Sequence, residues 1–333
     1  MKIEKINFDQ IKEKLVSLSP VTFSQEYINF CKNFWQAEPI FLGFFKNGEI
    51  AAVALIYKRK ENGLVYLDSG VKLYSEIIYF KELSVDFNEL IGFIIKNYKF
   101  DILEFSFCQI INNKNIEYKK FSQNTSAYVL GAGDIKKYEE LLAGLNKKTR
   151  NQIKAAEKYN LELVVSQDIE LFYPVYLETM LRLKAKPKEK KYFYDLLNAF
   201  SNNFYLILAK KDGKIIGGNL FVIKNNYLML MFNVSFREYW KYNVNDFLYW
   251  EMLKFGLEKS IRWFDFGINA KRDRDQIHFK EGFGAKPYVI NHFVKINSLK
   301  AWFYVNKRKM FFLIKLVLRR IKKIFLWTIN LKN

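Results

Sequence analysis

The stretch from Phe204 to Pro287 has the clearest pattern of apolar runs and turn residues in the chain. Three runs rich in β-branched and aromatic residues follow one another there: 204–209, 215–223 and 227–234. Asp212-Gly213 separates the first two, and this dipeptide predicts a hairpin because both residues tolerate positive φ. Helical spacing after Asn245 and Asp246 predicts a helix capped by these residues, and the apolar run that follows predicts a buried strand. Three strands, a helix and a strand form the core of an α/β module.

A similar order of elements occurs earlier in the chain. Apolar runs flank the turn Asn47-Gly48, a helix is predicted over 88–99, and a strand is predicted over 102–107. The turn corresponds to Asp212-Gly213, and the strand corresponds to 261–266. Two units of this kind indicate duplication of one module. We therefore predict an α/β (α+β) fold of two tandem modules with mixed, largely antiparallel sheets.

The segments around the two modules suggest where the domains begin and end. Residues 1–35 have a helical and connecting pattern, and 135–159 has helical spacing that Asn146 interrupts. Helices are also expected over 169–183 and 191–200, joined by a lysine-rich exposed loop. The predicted divisions are these: a first module at 1–134, a basic helical connector at 135–160, a second module at 161–297 and a basic amphipathic tail at 298–333.

The motifs of the second module resemble those of a known enzyme family. Phe264-Asp265-Phe266-Gly267 ends the predicted strand, Phe279-Lys280 follows, and then Gly282-Phe-Gly-Ala-Lys-Pro287; the basic helix 147–161 precedes the module. This order is similar to the FemABX-like and BioF2-like branch of the GNAT superfamily, which includes relatives of the peptidoglycan-bridge aminoacyltransferases. The resemblance covers about residues 36–296. It implies two GNAT-like modules packed against each other and places Lys280, with Phe279, near the reacting ester carbonyl.

Several other chemistries lack their sequence motifs. His278 and His292 stand without cysteine partners or the HExxH spacing of a zinc site, and no metal site is predicted. Neither a Walker-type phosphate loop nor a Gly-x-Ser-x-Gly nucleophile elbow occurs. Acyl transfer to an amine needs neither, because a placed neutral amine and a stabilised oxyanion are sufficient.

Two residues are candidates for the chemistry itself. An ammonium at Lys280 would stabilise the oxyanion that develops on the carbonyl oxygen; the alternative is a surface lysine paired with Asp273 or Asp275. Asp265 ends a buried strand, and it is predicted either to act as a general base or to cap the following loop.

Basic residues are candidates for substrate binding. Arg182, Lys184 and Lys186 are expected to hold a phosphate or pyrophosphate of the acceptor, and Arg150 to face tRNA or the same acceptor. Arg237 begins the segment where the GNAT superfamily usually grips coenzyme A with a glycine-containing turn, but this segment has no glycine. The donor is therefore left open between aminoacyl-tRNA and acyl-CoA, each as a co-substrate, with no tightly bound cofactor.

Charge is concentrated at the end of the chain. The net charge is +20, and the residues after Glu281 include twelve Lys or Arg and no Asp or Glu. On a helix the tail separates an apolar side from a basic one, which is typical of a segment lying on an anionic membrane surface. The alternative is a helix docked on its own core. The basic residues proposed to face the membrane are Lys315, Arg319, Arg320, Lys322 and Lys323.

Together these observations predict an acyltransferase that moves an aminoacyl or acyl group onto an amine of a cell-envelope precursor. The acceptor would be a lipid-linked peptidoglycan intermediate or a lipid-linked or nucleotide-linked amino sugar of a surface polysaccharide. An acyl-CoA-dependent N-acyltransferase of surface sugars is one alternative. A non-catalytic protein that binds nucleic acid or membrane on a decayed module is another. No secretory signal pattern occurs at 1–10, so we expect a cytoplasmic protein peripheral to the inner face of the membrane.

Overall fold

The computed structural model describes residues 2–15, 20–71, 73–110, 122–133, 135 and 137–307. The strands, in chain order, are β1 Lys2–Ile6, β2 Glu38–Lys46, β3 Glu49–Glu61, β4 Leu64–Asp68, β5 Ile77–Tyr79, β6 Ile102–Phe107, β7 Ser122–Gly131, β8 Glu162–Ser166, β9 Phe204–Lys211, β10 Lys214–Lys224, β11 Tyr227–Ser235, β12 Trp263–Ala270 and β13 Lys286–Ile296. The α-helices are α1 Lys12–Leu15, α2 Gln25–Phe34, α3 Phe87–Asn97, α4 Tyr138–Gly144, α5 Lys147–Glu157, α6 Ile169–Arg182, α7 Lys190–Phe200, α8 Val244–Glu258 and α9 Arg274–Gly282.

The described strands form one continuous sheet that contains the same arrangement twice. Its order is β1-β2-β3-β4-β6-β13-β7-β12-β11-β10-β9-β8, with β5 beside β3. Each half has an antiparallel meander followed by one parallel pair, β4 with β6 and β11 with β12. We call β1 to β6 with β13 the first sheet half, and β8 to β12 with β7 the second sheet half. The prediction of two tandem modules of mixed, largely antiparallel sheet is confirmed.

The last strand of each unit lies in the sheet of the other unit. β7 pairs with β12, where Trp263 lies opposite Gly131, and β13 pairs with β6, where Asn291 lies opposite Phe107. β7 and β13 also pair with each other at the centre of the sheet. The sequence pattern did not predict this exchange. The predicted domain boundaries at residues 134, 160 and 297 stay a prediction. Each hydrogen-bonded sheet half contains one strand from the other part of the chain.

Local turn chemistry explains most of the predicted elements. Asn47 and Asp212 have positive φ in two-residue turns, so both predicted hairpins form as β2–β3 and β9–β10. Asn146 lies between α4 and α5, and its side chain accepts a hydrogen bond from the backbone N–H of Thr149. The cap of α8 was wrongly assigned to Asn245 and Asp246, because the helix already begins at Val244, after Asn243 in the left-handed region. The strands β1, β7, β8 and β13 were also missed.

Apolar side chains from both units pack into a shared core between the sheet and the helices. Tyr27 and Phe30 on α2 belong to the same buried cluster as Tyr192 and Phe193 on α7. The Tyr192 ring meets the Phe30 ring edge-on, with centroids 5.3 Å apart. This contact joins the two units.

The parallel strands β11 and β12 part soon after they meet. Their pairing runs from Tyr227 opposite Trp263 to Met229 opposite Asp265. The register of β12 against β7 shifts between Asp265 and Ile268, which is a β-bulge. Because a bulge bends its strand, β12 turns away from β11 and leaves a cavity between them.

The tail is described only at its beginning. Residues 299–307 are helical, and Trp302, Phe303 and Val305 expose about half of their surface. Within the described ranges, we find no helix with the length and apolar character needed to cross a bilayer. The tail residues predicted to face a membrane lie outside the described part of the chain: Lys315, Arg319, Arg320, Lys322 and Lys323.

Candidate active site

The cavity between β11 and β12 is the centre of the candidate site. It encloses about 580 Å³, and α6, α8 and α9 complete its walls. Lys280 and Phe279 reach it from α9, and Arg182 reaches it from the end of α6. Three of the residues singled out in the sequence therefore lie around one cavity, although Arg182 is far from Phe279 and Lys280 in the chain.

Lys280 is a buried lysine with its ammonium at the cavity wall. The residue is 7% exposed, and its Nζ donates a hydrogen bond of 3.0 Å to the backbone carbonyl of Gly267. The ring of Tyr128 lies 5.8 Å from the Nζ. Burial lowers the Lys280 pKa to about 8, against the opposing effect of the Asp265 and Asp273 carboxylates. The side chain is thus mainly an ammonium at neutral pH, and the alternative of an exposed surface lysine does not describe it.

Asp265 lies behind the cavity in a closed hydrogen-bond network. It is 1% exposed, and its Oδ2 accepts hydrogen bonds from the hydroxyls of Tyr74 and Tyr227, the latter at 3.2 Å. Its Oδ1 accepts the backbone N–H of Gly267 at 2.8 Å. Burial raises the pKa of the Asp265 carboxyl, while the Tyr74 and Gly267 hydrogen bonds and the Lys280 charge reduce that shift. Tyr74 comes from the first unit of the chain, so both units build this network.

Gly267 connects the two charged residues through its backbone. Its φ of +82° lies in the region that favours glycine, at the bulge of β12. Its N–H points to Asp265, and its carbonyl points to Lys280. A Cβ at this position would lie 3.8 Å from the Lys280 Nζ. The glycine therefore sets where the ammonium is held.

Phe279 belongs to an aromatic wall of the cavity. Its ring meets that of Tyr249 edge-on at 4.9 Å, and it packs on Phe283 at 5.2 Å. Tyr249 in turn contacts Phe266 on β12. These contacts fix α9 against α8 and β12, and they reduce the access of water to the Lys280 ammonium.

Arg182 and Arg237 both contact Trp240, and of these three residues Arg182 and Trp240 line the cavity. The guanidinium carbon of Arg182 lies 4.8 Å from the centroid of the Trp240 ring, and that of Arg237 lies 5.9 Å away. Arg182 also donates to the carbonyl of Ser235 at 3.3 Å, and it lies 3.7 Å from Glu178. The indole N–H of Trp240 donates to the Ser235 hydroxyl. The exposed indole of Trp240 therefore carries two guanidinium groups, one of them, Arg182, at the cavity lining.

Of the predicted binding residues, Lys184, Lys186 and Arg150 lie away from the cavity lining, as Arg237 does. Lys184 and Lys186 are exposed in the loop after α6. The guanidinium of Arg150 donates to the carbonyls of Ala143, at 3.2 Å, and of Leu145. Arg150 therefore joins α4 to α5, which is a structural reason for an arginine there. The predicted contact of Arg150 with tRNA or acceptor gains no support from this arrangement.

Several residues of the site were not among those predicted from the sequence. Tyr227 begins β11, and its position opposite Trp263 follows once the parallel pairing is known. Tyr74 lies in a loop with no periodic pattern, so nothing local identifies it. Trp240 lies in a segment without glycines, which points away from a phosphate-binding turn, although an exposed tryptophan between basic residues is itself a binding signal.

The start of α8 carries negative charge close to the cavity. Asn243 has φ +53°, and Asp246, in the first turn, is 6% exposed. Burial raises the pKa of the Asp246 carboxyl to about 6, with the charge of Lys148 acting in the opposite direction. A carboxylate here competes for the backbone N–H groups that would otherwise attract a ligand anion.

Comparison with known proteins agrees with this geometry. Residues 145–281 match a family model described as an acetyltransferase (GNAT) domain. The match covers α5 to α9, including Phe279 and Lys280, and it supports an acyltransferase of this type in that part of the chain. No curated protein sequence matches the chain.

Solved structures share the fold over nearly the whole chain. A structure titled FemX has 14% sequence identity and a TM-score of 0.65, and the alignment covers 92% of this chain and 99% of that one. A tandem GNAT protein from the clavulanic acid biosynthesis pathway has 11% identity and a TM-score of 0.55, with 89% and 98% covered. The C-terminal domain of a putative lysylphosphatidylglycerol synthetase from Agrobacterium fabrum has 11% identity and a TM-score of 0.54, with 89% and 93% covered. The predicted resemblance to FemABX-like proteins is confirmed in the fold.

Proposed function

We propose that the protein transfers an aminoacyl group from an ester donor to an amine of a cell-envelope precursor, with Lys280 stabilising the reacting carbonyl oxygen. The observation that carries this proposal is the buried Lys280 ammonium, held by Gly267 at the wall of a cavity between parting strands. A cation held in a site of low water content stabilises developing negative charge more strongly than one in bulk water.

The reaction proceeds by direct attack. The neutral acceptor amine forms a bond to the ester carbonyl carbon, and the carbonyl oxygen becomes an oxyanion close to the Lys280 ammonium. Collapse of this intermediate breaks the ester C–O bond, and the amine proton is released to water or to the leaving alkoxide. Amide and alcohol are the products.

Asp265 does not act as the general base in this step; it holds Lys280 and Gly267 in place. Its two oxygens already accept hydrogen bonds from Tyr74, Tyr227 and Gly267. A base with its lone pairs occupied in this way is poorly placed for a substrate amine. We infer that its charge supports the Lys280 ammonium and that its bond to Gly267 keeps the bulge in shape.

The start of α8 favours an ester donor such as aminoacyl-tRNA over acyl-CoA. A pyrophosphate would meet the Asp246 carboxylate there, in a segment that offers side chains in place of glycine. Acyl-CoA remains the second candidate donor, because the matched family model is described as an acetyltransferase domain. In either case the donor acts as a co-substrate.

The acceptor side is inferred from the rim and from the names of the neighbours. Arg182, Arg237 and Trp240 form a cationic and aromatic edge that suits a phosphate-bearing group, with Lys184 and Lys186 nearby in the chain. One neighbour is titled FemX, and another is titled a lysylphosphatidylglycerol synthetase domain. These titles support an acceptor of the envelope, such as a lipid-linked peptidoglycan intermediate or a linked amino sugar.

The tail is proposed to hold the protein at the inner face of the membrane. The exposed Trp302 and Phe303 supply apolar surface where the tail helix begins, and the basic residues further on would face anionic headgroups. Sedimentation with anionic vesicles checks this, using the full chain and a chain that ends at residue 298. Equal sedimentation of both chains would refute the anchor.

Donor dependence tests the proposal directly. The purified chain is supplied with an amine acceptor and, in parallel, with charged tRNA or acetyl-CoA, and amide formation is measured. We expect transfer from charged tRNA, and stabilisation of the fold by charged tRNA rather than by coenzyme A. Turnover with acetyl-CoA but not with charged tRNA would contradict the aminoacyl-tRNA donor and favour acyl-CoA.

A further inference from the structure

A second cavity, of about 500 Å³, lies in the first sheet half. It opens where β4 and β6 part, after a parallel pairing from Tyr66 opposite Ile102 to Asp68 opposite Glu104. That pairing has the same length and order as the pairing of β11 with β12, so Glu104 takes the position that Asp265 has in the second half. The second cavity therefore lies at the place in the first sheet half that corresponds to the Lys280 cavity in the second sheet half.

A buried ion pair forms one wall of this second cavity. Arg59 and Asp68 are 3% and 4% exposed, and Arg59 Nε donates to Asp68 Oδ2 at 2.6 Å. The guanidinium also lies over the ring of Tyr66 at 4.2 Å and binds Glu61. Asp68 Oδ1 accepts the backbone N–H of Val71 at 3.0 Å. Because both groups are fixed from several sides, this wall is rigid before any ligand arrives.

The opposite wall is a row of three polar side chains. Ser106 Oγ and His292 Nδ1 are 2.9 Å apart, and His292 Nε2 lies 4.0 Å from Glu104 Oε1. Ser106 and Glu104 are alternate residues of β6, so they share one face, and His292 lies opposite Ser106 on β13. The strand exchange therefore supplies the imidazole, which gives this row hydroxyl, imidazole and carboxylate groups in sequence.

The charges of the residues that line the second cavity disfavour a negatively charged ligand. Asp68 and Glu104 are two carboxylates, and the single guanidinium of Arg59 is already bound to Asp68 and to Glu61. A phosphate would meet an excess of negative charge here, although the chain as a whole has a net charge of +20. Hydroxyl, amide and carboxylate groups instead match the hydroxyls and the amine of a sugar.

We propose that this second cavity is a binding site for an amino sugar, with its ammonium at Glu104 and its hydroxyls on Ser106, His292 and the Arg59–Asp68 wall. Ile268 lines this cavity and the Lys280 cavity alike. A saccharide held here lies beside the Lys280 cavity, so it would help to orient an acceptor that contains a sugar. This role in transfer rests on the proposed function. The binding itself does not depend on it.

Titration calorimetry of the full chain with D-glucosamine tests the proposal, with glucose and glucose 6-phosphate as comparison ligands. We expect saturable binding in the order glucosamine, glucose, glucose 6-phosphate. Glu104→Gln should weaken glucosamine binding by at least about tenfold, and Ser106→Ala should weaken glucose as well. The Glu104 side chain is 41% exposed, so its variant is expected to fold.

Two controls separate this site from the reaction. Glu157→Gln removes an exposed carboxylate from α5 and should leave glucosamine binding unchanged. Lys280→Met should also leave it unchanged, whatever becomes of turnover, so failure of the proposed transfer does not imply failure here. Absence of saturable glucosamine binding, equal binding by Glu104→Gln, or tighter binding of glucose 6-phosphate would overturn the proposal.

Discussion

Lys280 and Asp265 are joined through the backbone of one residue, Gly267. The glycine carbonyl accepts a hydrogen bond from the ammonium at 3.0 Å, and its N–H donates to the carboxylate at 2.8 Å. The carboxylate raises the Lys280 pKa against the effect of burial. The charge of Asp265 and the backbone of Gly267 therefore both act on the Lys280 ammonium. A substitution at either residue tests one of these two effects.

The pH dependence of transfer should reflect Lys280. Its pKa is lowered to about 8, so the ammonium is present below that pH and is lost as pH rises through it. We expect the rate at saturating substrate to fall above about pH 8. Lys280→Arg keeps its charge to higher pH and should lose this descending limb, even if its rate is lower. An unchanged limb in that variant would assign the titration to another group.

Replacing Gly267 should cost both stability and rate. At φ +82° an alanine is strained, and we expect a loss of about 1 kcal/mol in the free energy of unfolding. The shifted carbonyl should also reduce kcat. Gly213→Ala is a matched control, since Gly213 has φ +77° and open space around its Cβ position. Urea unfolding and initial rates should show similar losses of stability in both variants, but a loss of kcat in Gly267→Ala alone.

Asp265→Asn separates charge from shape. The amide keeps the size of the side chain, but it removes the negative charge that raises the Lys280 pKa. The descending limb of the pH–rate profile should therefore move to lower pH. Stability should fall by about 1–3 kcal/mol, because both Asp265 oxygens accept hydrogen bonds and the amide nitrogen of the variant can accept none. A loss of stability with an unmoved limb would show that Asp265 acts on the fold alone.

Asp246→Asn tests the start of α8 through stability. Burial raises the pKa of this carboxyl to about 6, so ionisation destabilises the fold as pH rises from about 4 to above 6. The variant should be more stable than the wild type by about 1–2 kcal/mol at pH 8, after loss of the favourable interaction with the helix N-terminus. Near pH 3 the difference should vanish. Thermal unfolding across this pH range measures it.

Local patterns predicted the elements that local chemistry determines. Asn47-Gly48 and Asp212-Gly213 specify their hairpins by φ, and Asn146 interrupts the connector because its side chain caps the next helix. The resemblance supplied Lys280 and Phe279, and the structure places both at one cavity. Their catalytic roles remain predictions.

Long-range pairing accounts for what the sequence did not predict. β7 and β13 have ordinary strand patterns, and nothing in either pattern states that each pairs with the other unit. Tyr74 reaches Asp265 only because the two units pack together, so no spacing along the chain identifies that contact. Asn243 was missed as the start of α8 because a left-handed residue before a helix has no strong sequence pattern.

The turnover of Lys280→Met tests the central claim most directly. Lys271→Met, at an exposed lysine shortly before α9, is the matched control. With donor and acceptor saturating, Lys280→Met should lower kcat by about 10²–10³-fold, as does loss of one oxyanion-stabilising group elsewhere, while circular dichroism stays unchanged. Lys271→Met should keep wild-type kcat. A folded Lys280→Met protein with wild-type kcat would contradict the account.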